Sequence, residues 1–309
     1  MAVIKDRSNL PVAPTGIPPA SERMVVHRIA EAWARGSEAP WKPDDRPWRA
    51  SQAGKCARQI AYEITGAEQS DPPGLAAHWV MGLGSKVHEL LLPAVREWIG
   101  ADPNLVAEEE VAMNIGDLGF GHADLVLKTA DGKTILIELK TINGFGFKRA
   151  VADQEGPKSG HKLQAALYAH TLNADLLVIA YLGMENMGPG YAAKANVDDI
   201  GRFAAEWHYT PAEFIPWAEA EIERLDAIAA HVWNEGEDIF GEITVPRRFS
   251  HHDPDIPFGA QVNNPKTGHW QYTDNATGAL LSAGTTWQCN YCNFQTTCIG
   301  DMNNENQDG

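Results

Sequence analysis

The chain has no run of eighteen apolar residues, so no segment reads as a helix that crosses a bilayer, and no membrane partner is expected. It has no internal repeat. Residues 1–23 lack the apolar stretch of a signal peptide and instead hold Pro11, Pro14, Pro18 and Pro19, which predicts a flexible tail. Residues 301–309 predict a second polar tail. A chain without an export signal is expected in a reducing cytoplasm, where cysteines stay as thiols. Cysteine is scarce, four in 309 residues, and in that compartment four point to metal or redox chemistry rather than disulfides. Positive charge is short as well. Lys and Arg number 25 against 41 Asp and Glu, a net charge of −16, which argues against general affinity for nucleic acid. A nucleic-acid function therefore requires a local reversal of sign.

What is present is a 44% hydrophobic sequence, enough for a sizeable core, and one informative stretch. Residues 121–140 read GHADLVLKTADGKTILIELK. Apolar runs Ala123–Leu127 and Thr134–Leu139 flank Ala130-Asp131-Gly132, which predicts a β-hairpin. Asp124 opens the first run; Glu138 and Lys140, two apart, share a face at the end of the second. The register decides whether they meet. A two-residue loop turns Asp124 away from Glu138. A three-residue loop with Gly132 left-handed pairs 129 with 133, so paired positions sum to 262 and Asp124 lies opposite Glu138. Two carboxylates beside a lysine suit a divalent cation, with a charged group left for water or phosphate. The alternative is an edge hairpin with solvated charges.

Around it the chain alternates helices and strands. Val26, Ile29, Ala30 and Trp33 predict a helix over 24–34, and Pro40–Trp48 a linker. Ser51 is expected to cap a short helix carrying Cys56. A long helix is predicted over 75–98, disturbed at Pro93, with His88 one turn after Gly84; a lone histidine there is more often a core residue than a ligand. Leu105–Ile115 predicts a strand. The stretch 141–160 predicts a loop. Its Lys148, Arg149 and Lys158, with Lys162, outnumber Asp153 and Glu155, which is the local reversal of sign. A helix over 161–172 puts Gln164 and Tyr168 on one face, joined by His161. Leu176–Met184 predicts a buried strand with Phe203–Tyr209 as its neighbour. Thr210-Pro211-Ala212-Glu213 predicts a capping box opening a helix to 233. No element is predicted over 245–286, where His251-His252-Asp253 reads as a polar loop.

The remaining cysteines, Cys289, Cys292 and Cys298, are spaced C-x2-C-x5-C. Zinc ribbons use two CxxC pairs, whereas three local thiolates plus distant Cys56 suit a cuboidal iron–sulfur cluster.

Taken in order, these motifs give the stretch from about 51 to 298 its resemblance to a family. It resembles the iron–sulfur branch of the PD-(D/E)XK nucleases, namely the RecB-like, CRISPR-associated exonucleases and the AddB nuclease domain. The resemblance rests on Cys56-Ala57-Arg58, with Ala57 where the family usually has Pro, and on His88 four after Gly84. It continues through Gly121-x-x-Asp124, with Ala123 in the usual Pro position, then Glu138-x-Lys140, Gln164-x-x-x-Tyr168 and the cysteine triplet.

The resemblance implies an α/β fold: a restriction-endonuclease-like core with a mixed central sheet flanked by helices, and a 4Fe-4S cluster joining N- and C-terminal helical parts. One nuclease domain is expected over 24–300, its core at about 75–235, with the cluster drawn from 51–62 and 287–300. Asp124, Glu138, His88 and the Leu139 carbonyl are implied to hold Mn²⁺ or Mg²⁺, which polarises the phosphodiester and acidifies a bound water. Lys140 is implied to orient or help deprotonate that water, and Gln164 and Tyr168 to position the strand. Lys55, Arg58, Lys148, Arg149, Lys158 and Lys162 are expected to meet phosphates. The implied activity is a metal-dependent DNA exonuclease, favouring single strands and 5′→3′ polarity, in recombination, repair or processing. With no helicase motif present, an unwinding or recombination partner would be a separate chain. The alternatives are a structure-selective or nicking endonuclease, or a non-catalytic cluster-bearing DNA-binding subunit.

Overall fold

The computed structural model describes residues 47–151, 154–184, 204–234, 258–263, 270–274 and 292–298. The helix predicted over 24–34, Cys289 and His251-His252-Asp253 lie outside them. The chain divides into two units, residues 1–41 with 73–82, and residues 42–72 with 83–309. In the first, described residues 73–82 open a helix, with the Ala77 N–H donating to the Gly74 carbonyl at 2.9 Å.

The second unit is built on a six-stranded mixed sheet. Strands β1 (Trp48–Arg49), β3 (Gly119–Thr129), β4 (Thr134–Ile142), β5 (Leu176–Gly183) and β6 (Ala204–Tyr209) lie side by side in that order, and β2 (Leu105–Ile115) also pairs with β3. The β1–β3 and β4–β5 pairs are parallel; the rest are antiparallel. The unit's helices are α1 (Ala57–Thr65), α2 (Leu75–Gly100) from Leu83 onward, α3 (Gly144–Val151), α4 (Ser159–Thr171) and α5 (Pro211–Asn234). Strands β7 (Phe258–Asn263) and β8 (Trp270–Asp274) form a separate hairpin within the stretch where no element was predicted.

Turn chemistry sets the central hairpin. Gly132 takes φ +84, the Gly132 N–H donates to the Thr129 carbonyl at 2.9 Å, and Thr129 pairs with Lys133. The β3–β4 register follows, with Leu125 opposite Ile137 and Lys128 opposite Thr134, the sum of 262 that a three-residue loop requires.

Apolar residues on the two sheet faces build two cores. On one face, Leu125 and Leu127 pack with Leu92 and Ile99 of α2. On the other, Val126, Leu136, Leu177 and Ile179 meet α4 and α5 through Leu167, Phe214 and Leu225. Each such fully buried side chain contributes about 1.5–3 kcal/mol. In α4, Ala165, Ala166, Leu167 and Ala169 are all fully buried, so this helix lies inside the protein between sheet and α5. The fully buried Trp48 seals one edge: its Nε1–H donates to Asp226 at 2.7 Å, and its ring occupies the space a side chain at Gly119 would need.

Three local expectations are corrected. Residues 144–151 form α3 rather than loop, because Asn143 caps them, its Oδ1 accepting the Gly146 N–H at 2.7 Å. Ser51 does not cap the helix after it. It lies in a 3-10 turn (Ala50–Gln52), and Cys56 is the N-cap of α1. Helix α2 continues through Pro93 without ending there. At Thr210 one arm of the expected capping box forms: the Glu213 carboxylate accepts from both the Thr210 N–H and its hydroxyl at 2.8 Å, while the Glu213 N–H donates to the Thr210 carbonyl at 2.9 Å rather than to the hydroxyl.

Candidate active site

Hairpin register and helix α2 together assemble a cluster at the base of β3 and β4. The β3–β4 ladder stops at Leu125–Ile137, one pair short of Asp124 and Glu138. There the Asp124 side chain replaces the backbone: its Oδ2 accepts the Leu139 N–H at 2.8 Å. His88 approaches from α2, with Nδ1 3.5 Å from Asp124 Oδ1. Gly84, one turn earlier, explains how it can. A side chain at Gly84 would meet Thr141 Oγ1 of β4 at 3.1 Å, so glycine lets helix and strand approach closely.

Glu138 is buried and Lys140 half-buried beside it, their charged ends 2.6 Å apart. Glu138 is 1% exposed, and among the described residues its Oε2 has no hydrogen-bond partner. Burial pushes the Glu138 carboxyl up to about 7, against the pull of Lys140. Burial alone would lower the Lys140 ammonium, but the Glu138 carboxylate overrides it and holds the group above its ordinary range. His88 also lies above its ordinary range, chiefly through its hydrogen bond to Asp124. Asp124 itself is 9% exposed.

Helix α4 closes the far side. The Gln164 amide donates to the Tyr168 hydroxyl at 3.2 Å. Tyr168 lies across Gly121, where an added Cβ would sit 2.4 Å from its ring, so the glycine of the Gly121-x-x-Asp124 motif makes room for the tyrosine of the next motif. Burial, then the nearby Glu138 carboxylate, raises the Tyr168 hydroxyl well above its ordinary range. His161 sits beside them. The Lys158 N–H donates to the Tyr181 hydroxyl at 2.8 Å, which leaves that hydroxyl's proton for His161 Nδ1 at 2.7 Å. Burial, with Lys140 and Lys158 nearby, takes His161 down to about 3, so it stays neutral.

The cluster fits a divalent cation in its chemistry. It offers an imidazole nitrogen, carboxylate oxygens and one buried carboxylate oxygen with no partner among the described residues, a donor set suited to a divalent metal. Glu110, on β2, was not among the sequence candidates. Its carboxylate, His88 and Asp124 offer ligand atoms all within 4.8 Å of one another. It stands third in a run of identical residues, Glu108-Glu109-Glu110, with nothing in the sequence to set it apart, which is why the sequence alone did not select it.

The basic residues disperse. Arg58 is 3% exposed and lies in the core of α1, so it presents no surface to a phosphate backbone and is removed from the candidates. Lys55 is paired with Glu63 at 3.3 Å and Arg149 with Glu155 at 2.7 Å. Lys162 lies over the Trp217 ring, 5.7 Å from its centre. Lys148 and Lys158 are exposed.

The described cysteines come from two segments held against each other. Cys292 and Cys298 flank a short turn that docks on α1 and the loop after it. The Asp71 N–H donates to the Asn293 carbonyl at 2.9 Å, and the Asp71 carboxylate accepts from the Thr296 N–H at 2.7 Å and its hydroxyl at 2.8 Å. Phe294, fully buried, packs its ring 5.2 Å from that of Tyr62. Cys56, at the head of α1, is half-buried, as are Cys292 and Cys298.

Among the described residues, no helix is long and apolar enough to cross a membrane. Several solved structures are similar to part of the chain. The protein SSO0001 is 18% identical, with 68% of this chain and 88% of that one covered at a TM-score of 0.41. The alkaline exonuclease of Laribacter hongkongensis is 13% identical, with 66% and 97% covered at 0.38. A phage-related exonuclease from Haemophilus somnus is 12% identical, with 58% and 81% covered at 0.39. No curated protein matches the chain. The sequence profile of one family does match, over residues 20–299: the chain belongs to the PD-(D/E)XK nuclease superfamily.

Proposed function

We propose that this protein is a metal-dependent DNA exonuclease, cutting phosphodiester bonds from strand ends, with single strands and 5′→3′ polarity favoured. The observation that carries the reading is Glu138, a fully buried carboxylate with Lys140 on one oxygen and, among the described residues, no hydrogen-bond partner on the other, set beside Asp124. Burying a carboxylate with an unused oxygen is costly unless something arrives to use it. A divalent cation held by His88, Asp124, Glu138 and the Leu139 carbonyl would polarise the phosphodiester and make a bound water more acidic.

The chain's own residues supply the rest. Lys140, anchored by Glu138, holds an ammonium where negative charge develops on the phosphate and orients the attacking water. Asp124 fixes the Leu139 peptide through its N–H, which aims the adjoining carbonyl. Gln164 and Tyr168 position the strand, and neutral His161 stands near Lys140 without adding a second charge. Lys55, Lys148, Arg149, Lys158 and Lys162 remain the proposed phosphate contacts.

A structural 4Fe-4S cluster on Cys56, Cys289, Cys292 and Cys298 is part of the reading. It is supported by the cysteine spacing and by the docking of the 292–298 turn on the segment that Cys56 opens. Brown colour, about four irons per chain, and loss of both colour and thermal stability in Cys56→Ser are the expected results. A colourless anaerobic preparation holding one zinc would refute the cluster.

The activity is tested by digesting single-stranded DNA labelled at one end beside a covalently closed circle. The expected result is degradation of the linear strand alone, with Mn²⁺ at least as effective as Mg²⁺ and no cleavage in EDTA. Cutting of the circle would overturn the exonuclease reading, and undiminished cleavage in EDTA the metal mechanism.

A further inference from the structure

Strand β2 carries the feature that the nuclease motifs do not account for. Its pairing with β3 keeps one register along its whole length, Leu105 opposite Thr129 through Ile115 opposite Gly119. One pair is missing from that ladder: Glu110 with Asp124. At that position Glu110 takes φ +49, a left-handed conformation that side-chain-bearing residues avoid.

Across this position both β2 and β3 change which side of the sheet a given parity faces. Before it, Leu105 and Ala107 pack toward α2 with Leu125 and Leu127. After it, Val111, Met113, Ile115 and Ala123, of the same parity, belong to the opposite core with α4 and α5. Regular alternation would have kept them all on one face. The break falls at the residue whose carboxylate comes within 4.8 Å of ligand atoms of both His88 and Asp124. The Glu110 carboxylate is exposed and, among the described residues, has neither a hydrogen bond nor an ion pair. Glu138 supplies a second observation that points to a cation, since among the described residues its buried Oε2 has no hydrogen-bond partner, and its electrostatic neighbours include Asp124 and His88.

We infer that Glu110 is a ligand of the divalent cation, delivered to the site by the left-handed break in β2. This rests on the metal-dependent reading of the cluster and adds a protein oxygen from a third strand to those of Asp124 and Glu138. A fixed carboxylate there takes one coordination position that water would otherwise hold. It also ties β2 to α2 and β3 once the ion is in place.

The test is Mn²⁺ binding to the metal-free protein without DNA, by titration calorimetry and by the electron paramagnetic resonance signal of free Mn²⁺. Variants are Glu110→Gln, Asp124→Asn and, as a surface control, Glu108→Gln, whose parent residue pairs with Lys128 at 2.7 Å. The expected result is at least about a tenfold weaker dissociation constant for Glu110→Gln, a larger loss for Asp124→Asn and no change for Glu108→Gln. A second variant, Glu110→Gly, relieves the left-handed backbone. It should melt no lower than wild type without metal, yet show a smaller Mn²⁺-induced rise in melting temperature. Wild-type affinity in Glu110→Gln alongside weakened binding in Asp124→Asn would overturn the role of Glu110 and leave the nuclease reading intact. Failure of the wild type to bind Mn²⁺ would overturn both.

Discussion

The central hairpin contains two acid–lysine pairs with the same two-residue spacing, one at its tip and one at its base. At the tip, Asp131 and Lys133 lie 3.1 Å apart, with side chains 62% and 63% exposed. At the base, Glu138 and Lys140 lie 2.6 Å apart at 1% and 19%. Water screens the first pair and leaves it worth little. Burial makes the second expensive, which shifts its proton equilibria and leaves an oxygen for a cation. Similar local sequence therefore gives a solvated turn in one place and a candidate reaction centre in the other.

The largest effect that separates the two ends is on cleavage. Lys140→Ala should still bind DNA and Mn²⁺ but lose activity by about 10²-fold or more, as expected for a lost electrostatic group. Lys133→Ala should cut as well as wild type. Equal rates for the two variants on an end-labelled strand would show that the base pair does no chemistry.

Their pH dependence should have opposite signs. Glu138 is raised on folding, so the metal-free folded state holds the proton more tightly than the unfolded chain. Stability then falls as pH rises from the ordinary carboxylate range to about 7. Asp131 is lowered, chiefly by its hydrogen bond from Thr129, so its small contribution is present above the ordinary carboxylate range and is lost as acid protonates it. Melting temperatures of the metal-free protein across this range check both. The rise in melting temperature on adding Mn²⁺ should grow with pH up to about 7, because the ion requires Glu138 ionised. A metal-induced rise that does not vary with pH would contradict the position of Glu138.

Two of the hairpin's three glycines, Gly121 and Gly132, sharpen the contrast for stability. Gly121→Ala pushes a methyl into the Tyr168 ring and should cost about 1–3 kcal/mol, with cleavage impaired because Tyr168 must move. Gly132→Ala meets open space but keeps a left-handed backbone, and should cost about 1 kcal/mol with cleavage intact. Chemical denaturation beside the cleavage assay distinguishes them. The smallest effect belongs to Asp131→Ala, which should leave the denaturation midpoint at neutral pH close to that of wild type.

Much of the hairpin and its neighbours was legible in the sequence. Ala130-Asp131-Gly132 specified the turn, and the turn specified the register that sets Asp124 toward Glu138. Periodicity located β2 and α5, and the Thr210–Glu213 box marked where α5 begins. Helix α3 was missed because Gly144 and Gly146 weaken the helical pattern, although Asn143 was a capping signal. Arg58 was misplaced on the surface because a charged residue on an apolar helix is ordinarily solvated, and here α1 is packed into the core.

By itself, then, the sequence determined what depends on near neighbours: turn type, strand register, helix starts, and the residue types offered for metal chemistry. Only the tertiary structure decided which offered groups converge and in what environment. His88 reaches Asp124 because α2 packs on the sheet where Gly84 leaves room. Glu110 enters the cluster because β2 breaks its alternation there, and the proton affinity of Glu138 rises because two layers of helices exclude water. Such convergence follows from the packing of segments distant in the chain, whereas a turn is fixed by a few consecutive dihedral angles.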